Sequence, residues 1–288
     1  MPSPLQRPDG VEIHWEEQGQ GPLVVVVHQL LWSFPQVYAE LIDDLARDHR
    51  VVTYDARGCG ASTRRGPYDP ATDAGDLLAL ASAAGGAAVA IAVGYGYHIA
   101  ARVASARPEA ISDLLCVQPA AAAILPRSEL RQAEVMGGSD SVMEMLKQLM
   151  RTDQRAAVRT LLTAANPELS EDELRERASH VGTYVSLEST LERSEVWLAD
   201  DPSEYSRALG GRLRILHPET EPIFEGALTD RVRELYPEAH VEEVPGGPIS
   251  RPELIAAWVR RVSGVKADSA AGGPSMSGAS KQPRDHPL

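Results

Sequence analysis

The chain has few cysteines and no long apolar run, and each shortage excludes a class of protein. Its two cysteines, Cys59 and Cys116, cannot form the disulfide framework of a small secreted domain, and no metal-ligand spacing surrounds either of them. The longest apolar stretch, Ala83–Val93, is far shorter than the roughly 20 residues that span a membrane. The first residues contain no apolar signal core. We therefore expect a cytoplasmic protein without a metal site.

Positively charged residues are also few. Lys and Arg number 28 against 41 Asp and Glu, which gives a formal net charge of −13. This charge opposes phosphate backbones and anionic lipid, so we expect neither a nucleic-acid nor a membrane partner. Apolar residues make up 43% of the 288 residues, enough for a sizeable core in one large domain or two small ones. The oligomeric state stays open, with a homodimer as one alternative.

Short apolar runs alternate with helical patterns along most of the chain. The predicted strands are Val11–Glu16, Leu23–Val27, Arg50–Tyr54, Ala87–Val93, Ile111–Val117, Leu213–His217 and Val241–Val244. The predicted helices are a segment from Ser33 to about His49, then Asp73–Ala84, Ile99–Arg107, Ala227–Tyr236 and Pro252–Val262. The strict alternation of strands and helices predicts an α/β protein with a parallel sheet and right-handed crossovers.

One long segment interrupts this alternation. Residues 125–209 show only helical patterns, including a capping box that begins at Ser170 and ends at Glu173. We interpret this segment as an all-helical lid inserted into an α/β core formed by residues 1–124 and 210–264. Residues 265–288 have no periodicity and little to bury, which predicts a disordered tail.

Four motifs in correct order carry a family resemblance. Asp9–Trp15 looks like a first hairpin strand, and Val24–Val27 followed by His28 looks like a strand that leads into an oxyanion loop. Tyr54–Ser62 matches the pattern Tyr-Asp-x-Arg-Gly-x-Gly-x-Ser, and Val93–His98 lies where a nucleophile elbow belongs. Together these motifs resemble the α/β-hydrolase superfamily over residues 9–263.

The resemblance implies the α/β-hydrolase fold, a mostly parallel twisted sheet flanked by helices, with the lid inserted after the strand that corresponds to the family's sixth. It also implies a small-molecule ligand at the carboxyl edge of the sheet and no cofactor.

The catalytic triad of the family is degenerate on this alignment. The family needs Gly-x-Ser-x-Gly, then an acid, then a His. The alignment puts Gly96 at the serine position, Glu221 at the acid position and Pro248 at the histidine position. His240 begins the last strand, about 15 Å from the catalytic edge, so it cannot replace the missing base.

Several residues around the vacant serine position are candidates for the site. Gly96 is expected to have a positive φ, and the backbone N–H groups of Tyr97 and Gln29 are expected to form an oxyanion-binding pair. Tyr95, Tyr97 and His98 either rebuild an acid–base site, with His98 as base, or only fill the space left by the lost triad.

Other candidates have equally open alternatives. His28 either takes part in catalysis or shapes the oxyanion loop, and Trp32 either forms a pocket wall or packs under the lid. Glu221 is a surviving acid, a group that orients a new base or polarises a substrate hydroxyl, or a solvated loop carboxylate. Cys59, in the Gly-rich loop, is a weak candidate nucleophile. Tyr184 is a further candidate from the lid.

Three functions remain open at this stage. The first is a non-hydrolytic cyclase, isomerase or lyase acting on an apolar, oxygenated small molecule, such as a polyketide-like natural-product intermediate. The second is a non-catalytic small-molecule-binding protein. The third is an unconventional hydrolase that uses an activated water.

Overall fold

A computed structural model describes most of the chain. The described residues are 2–28, 38–117, 119, 121–129, 139–165, 169–197, 199–218, 228–244 and 251–265.

A seven-stranded sheet forms the centre of the molecule. Its strands, in spatial order, are β3 (Trp15–Gln18), β5 (Arg50–Tyr54), β4 (Leu23–Val27), β6 (Ala88–Val93), β7 (Ile111–Val117), β8 (Leu213–Pro218) and β9 (His240–Val244). Neighbouring strands are parallel except for β3, which pairs with β5 in the antiparallel direction. A separate two-stranded sheet joins β1 (Leu5–Gln6) to β2 (Glu12–Ile13). The single predicted strand at Val11–Glu16 is thus two short strands separated by His14.

The strand order reverses between β4 and β6. The chain runs from β4 outward to β5 and then returns to the other side of β4 to form β6. Ligands of open α/β sheets bind at the carboxyl ends of strands at such a reversal. The residues that follow β4 and β6, which include His28 and Gly94, therefore lie where a ligand is expected.

Helices cover both faces of the sheet. They are α1 (Ala39–Leu45), α2 (Pro70–Ala83), α3 (Tyr95–Ala106), α4 (Ala121–Ile124), α5 (Ser139–Thr152), α6 (Gln154–Ala165), α7 (Glu171–Tyr184), α8 (Leu187–Trp197), α9 (Ser203–Leu209), α10 (Leu228–Leu235) and α11 (Pro252–Ser263). The predicted capping box is present at the start of α7, where the Ser170 hydroxyl and the Glu173 carboxylate bond each other's backbone N–H. Within its described residues, the stretch from α5 to α9 contains no strand longer than the single bridge from Val185 to Cys59.

Helix α3 begins four residues earlier than its apolar pattern predicts. It starts at Tyr95, directly after Gly94, instead of at Ile99. The sequence pattern assigns the preceding residues, up to His98, to the elbow between a strand and a helix. Because α3 begins at Tyr95, the turn after β6 is limited to Gly94.

Two apolar cores pack on opposite faces of the sheet because the strands are buried on both sides. Val25 and Val27 of β4 belong to one core, and Val24 and Val26 belong to the other. Cys116 is fully buried in the first of these. No described helix is long and apolar enough to cross a membrane.

Candidate active site

The turn between β6 and α3 has the geometry of a nucleophile elbow at Gly94. This residue has φ 53° and ψ −123°, in the region that glycine adopts without strain and other residues rarely do. Strand β6 ends at Val93 and helix α3 begins at Tyr95, so the turn is a sharp strand-to-helix connection. The residue at its apex has no side chain.

The structure therefore corrects the position assigned to Gly96. Gly96 lies inside α3, and its φ is not positive. A Cβ atom on Gly96 would lie 2.4 Å from the carbonyl oxygen of Val27 and 2.5 Å from that of His28. Gly96 thus allows α3 to pack closely against the end of β4. Close packing at this point is what the second glycine of Gly-x-Ser-x-Gly is expected to allow, so Gly94 replaces Gly96 as the candidate for the serine position.

The predicted oxyanion role of the Tyr97 backbone is also wrong. The Tyr97 N–H donates to the carbonyl of Gly94 at 3.1 Å, because helix α3 has already begun. The Tyr97 hydroxyl shares a 2.6 Å hydrogen bond with the Ser206 hydroxyl, and the ring is fully buried. Tyr97 consequently joins α3 to α9 and does not face the turn.

His98 is a buried structural residue and not a base at the turn. Its Nε2 lies 2.7 Å from Oδ2 of Asp200, and its side chain has no exposed surface. Burial lowers the pKa of His98, and the hydrogen bond to Asp200 does not reverse this shift. The neutral ring donates its Nε2 proton to the Asp200 carboxylate, whose own pKa is lowered by that bond.

Tyr95 follows the turn, but its side chain points into the protein. Its ring is fully buried and packs edge-on against Trp197, with 5.5 Å between the ring centroids. Its hydroxyl lies 3.4 Å from Oδ2 of Asp73. Burial strongly raises the pKa of this hydroxyl, so Tyr95 stays protonated. The structure supports the space-filling interpretation for the Tyr95 side chain.

His28 lies beside the turn, at the carboxyl end of β4. It is buried, and its Nε2 is 2.9 Å from the carbonyl oxygen of Tyr54. Because a carbonyl can only accept, Nε2 carries the proton and Nδ1 carries the lone pair. The hydroxyl of Tyr184 lies 3.4 Å from the same Nε2.

Two polar residues near Tyr184, Asp55 and His14, were not predicted as part of the site. Asp55 follows β5, and it accepts hydrogen bonds from the Tyr184 hydroxyl at 2.7 Å and from the Ala61 N–H at 2.8 Å. Nδ1 of His14 lies 3.5 Å from Oδ2 of Asp55. The sequence signal for Asp55 was present, since the residue directly follows a buried strand. Only the fold shows that Tyr184, 129 positions later, joins it.

Four candidates lie outside the described residues: Gln29, Trp32, Glu221 and Pro248. Their roles stay predictions. Cys59 is described, and it is fully buried with a pKa raised by burial to about 11, so its thiol does not have the character of a nucleophile. Among the described residues, no group of His, Cys, Asp or Glu side chains could hold a metal ion.

Comparison with known proteins identifies the family. The model of the alpha/beta hydrolase family matches residues 24–264, so the chain belongs to that family. An esterase from Exiguobacterium antarcticum is similar in structure, with a TM-score of 0.75 and 16% identity over 90% of this chain and 100% of that one. The enol-lactonase from Burkholderia xenovorans has a TM-score of 0.68 and 19% identity over 89% and 97% of the two chains.

A third similar structure is E-2-(acetamidomethylene)succinate hydrolase, with a TM-score of 0.68 and 19% identity over 87% of this chain and 94% of that one. At these identities the likeness shows the fold alone. A search of curated proteins found no match.

Acid is expected to destabilise the wild-type protein more than a His98→Gln variant. Because burial lowers the pKa of folded His98 below its ordinary value of 6.5, the unfolded chain takes up this proton first. The contribution of neutral His98 to the free energy of unfolding is therefore complete above about pH 6.5 and is lost as the pH falls further. Because the pKa of Asp200 is also lowered, its protonation destabilises the fold as well, but only below its ordinary pKa of 3.8.

The measurement is the free energy of unfolding in urea at pH 7.5 and pH 5.5. The difference between the two values should be larger in the wild type than in His98→Gln. His180→Gln, on the exposed face of α7, is the matched control and should behave as the wild type. Equal differences in all three proteins would show that His98 does not contribute.

Proposed function

We propose that this member of the α/β-hydrolase family is a non-hydrolytic enzyme, a cyclase, isomerase or lyase. Its substrate is a hydrophobic, oxygenated small molecule, such as a polyketide-like natural-product intermediate. The observation that supports the proposal is the glycine at the apex of the turn, Gly94. A residue without a side chain cannot form the acyl-enzyme ester on which serine-dependent hydrolysis rests.

The turn still offers electrostatic stabilisation. Helix α3 is 12 residues long and begins at Tyr95, so its N-terminus lies at the carboxyl edge of the sheet. A helix N-terminus carries a partial positive charge of roughly half a unit, which favours negative charge beside it. In the proposed reaction this charge stabilises the oxygen of a substrate carbonyl as it becomes an enolate.

His28 is the proposed proton carrier. A Cβ atom on Gly96 would lie 2.5 Å from the carbonyl oxygen of His28, so the His28 backbone lies close to the start of α3. A C–H proton beside the substrate carbonyl passes to Nδ1 of His28, and the electron pair moves to the enolate oxygen. Return of the same proton to a different carbon completes an isomerisation in which no atom is gained or lost.

The sequence supplies no standard base at the family's histidine position, which is taken by Pro248. We propose that Glu221, at the acid position, polarises a substrate hydroxyl. On this proposal the Gly94→Ser variant regains a hydroxyl at the correct place and still lacks the base that would activate it. It should therefore gain no useful esterase activity.

The mass of the product tests the proposal directly. Poly-β-ketone mimics would be incubated with the protein and analysed by liquid chromatography and mass spectrometry. An isomerisation or cyclisation leaves the mass unchanged or removes one water, and a lyase gives two fragments of conserved total mass. We expect one of these outcomes, together with a loss of about 100-fold or more in turnover for His28→Asn.

The exposed His180→Gln variant serves as the control and should keep full turnover. Cleavage products whose total mass exceeds that of the substrate by one water would indicate hydrolysis. Turnover of a nitrophenyl ester panel would indicate it as well, and either result would favour the activated-water hydrolase. Full turnover by His28→Asn would remove His28 from the reaction.

A small-molecule-binding protein without catalysis is the second candidate. It is favoured by the position of Tyr95, Tyr97 and His98, whose side chains are all buried away from the turn. Recovery of a co-purifying ligand with unchanged mass, and no turnover of any mimic, would support this alternative over the enzyme.

A further inference from the structure

We infer that the chain binds a small organic ammonium ion in a cleft at the β3 side of the sheet. The cleft has a volume of about 310 Å³ and lies between the hairpin residues His14–Glu16, the end of β5 and Tyr184. Strand β3 is three strand spacings, or about 14 Å, from β6 and the Gly94 turn. Its Tyr184 wall also borders His28, because the Tyr184 hydroxyl lies 3.4 Å from His28 Nε2. Binding of a cation in the cleft does not depend on the reaction proposed at the turn.

Aromatic rings form part of the wall. Trp15 and Tyr184 are half-buried and line the cleft. Their polar groups already have protein partners, since the Trp15 indole N–H donates to the carbonyl of Ser3 at 3.1 Å and the Tyr184 hydroxyl donates to Asp55. Aromatic ring faces attract a cation placed within about 6 Å of the ring centroid. Quaternary and alkyl ammonium ions are the ligands that such walls suit.

Carboxylates give the cleft its charge. Asp55 and Glu16 line it, and no Lys or Arg is among the described residues that do so. Asp55 is held in place by Tyr184 and by the Ala61 N–H, so its charge is fixed in position. An adjoining cleft of about 320 Å³ shares Glu16 and adds Glu17 and Asp43. The charge of this surface therefore favours a cation and opposes an anion.

Titration with tetramethylammonium chloride tests the inference, with sodium chloride keeping the ionic strength constant. The nuclear magnetic resonance signal of the Trp15 indole N–H should shift and saturate. The dissociation constant should rise about threefold in Glu16→Gln and about threefold or more in Trp15→Leu, the latter measured on the ligand methyl signal. tert-Butanol, a neutral molecule of similar shape, should bind more weakly than the cation.

Glu12→Gln is the matched control, because Glu12 is an exposed carboxylate of β2 whose side chain bonds Gln6 outside the cleft. It should leave the dissociation constant unchanged. The inference would be overturned by the absence of a saturable Trp15 shift, by equal binding of tert-butanol, or by equal weakening in Glu12→Gln and Glu16→Gln. If Trp15→Leu does not fold, the dissociation constant of the exposed Glu16→Gln variant still tests whether the cleft binds the cation.

Discussion

A Gly96→Ser variant is expected to lose about 3 kcal/mol or more of its free energy of unfolding, because forced overpacking of a close contact is strongly destabilising. The added Cβ would lie 2.4 Å from the Val27 carbonyl oxygen and 2.5 Å from that of His28. Both atoms belong to the backbone at the end of β4, so no side chain can rotate to relieve the clash. Helix α3 would have to move away from the sheet. Urea unfolding followed by circular dichroism measures the effect.

Gly94→Ser is the matched control, two residues away with the same substitution. Gly94 has φ 53° and is the candidate for the serine position, so this variant should fold with a loss of about 1–3 kcal/mol from the positive φ. If Gly96→Ser were as stable as the wild type and Gly94→Ser failed to fold, the assignment of the turn to Gly94 would be wrong.

An Arg193→Leu variant should be destabilised by about 3–5 kcal/mol, the usual consequence of leaving one partner of a buried ion pair unpaired. Arg193 of α8 bonds Asp73 of α2 through two hydrogen bonds of 2.8 Å, with 0% and 2% of the two side chains exposed. Burial alone would lower the pKa of Arg193, but the attraction of Asp73 outweighs it and the pKa is raised. The guanidinium also donates to the carbonyl of Arg57 at 2.9 Å.

The ion pair joins the predicted lid segment to the α/β core. With leucine at 193, Asp73 would remain as an uncompensated buried carboxylate. An Arg193→Leu/Asp73→Leu double variant should therefore be more stable than Arg193→Leu alone, because the charge is removed from both sides. Arg175→Leu is the control; its exposed pair with Asp172 contributes at most about 1 kcal/mol. A loss below about 1 kcal/mol in the free energy of unfolding of Arg193→Leu would contradict the stabilising role of this buried ion pair.

Much of the α/β architecture was predictable because its signals are local. The continuous apolar run Leu23–Val27 predicts a strand buried on both faces, and the structure has that strand with the same bounds. The capping box at Ser170 likewise depends on only four neighbouring residues. Such features depend on periodicity and hydrogen bonding within one element, so they can be read without knowing what packs against it.

The elbow could not be positioned in this way because Gly94 and Gly96 both fit a glycine-rich turn. The choice between them depends on a contact across the fold, the close approach of Gly96 to the end of β4. The position of His98 depends equally on a distant residue, since Asp200 lies 102 positions along the chain. In the sequence His98 lies close to the turn. Only the structure shows that its side chain faces α9 and Asp200.

The proposed function requires no covalent acyl intermediate on this chain. Intact-protein mass spectrometry after incubation with a fluorophosphonate tests it most directly, with an active serine esterase treated in parallel. We expect a stoichiometric adduct on the esterase, of the reagent mass less HF, and none on this protein. A stoichiometric adduct on this protein would contradict the proposed function and would show that a nucleophile remains.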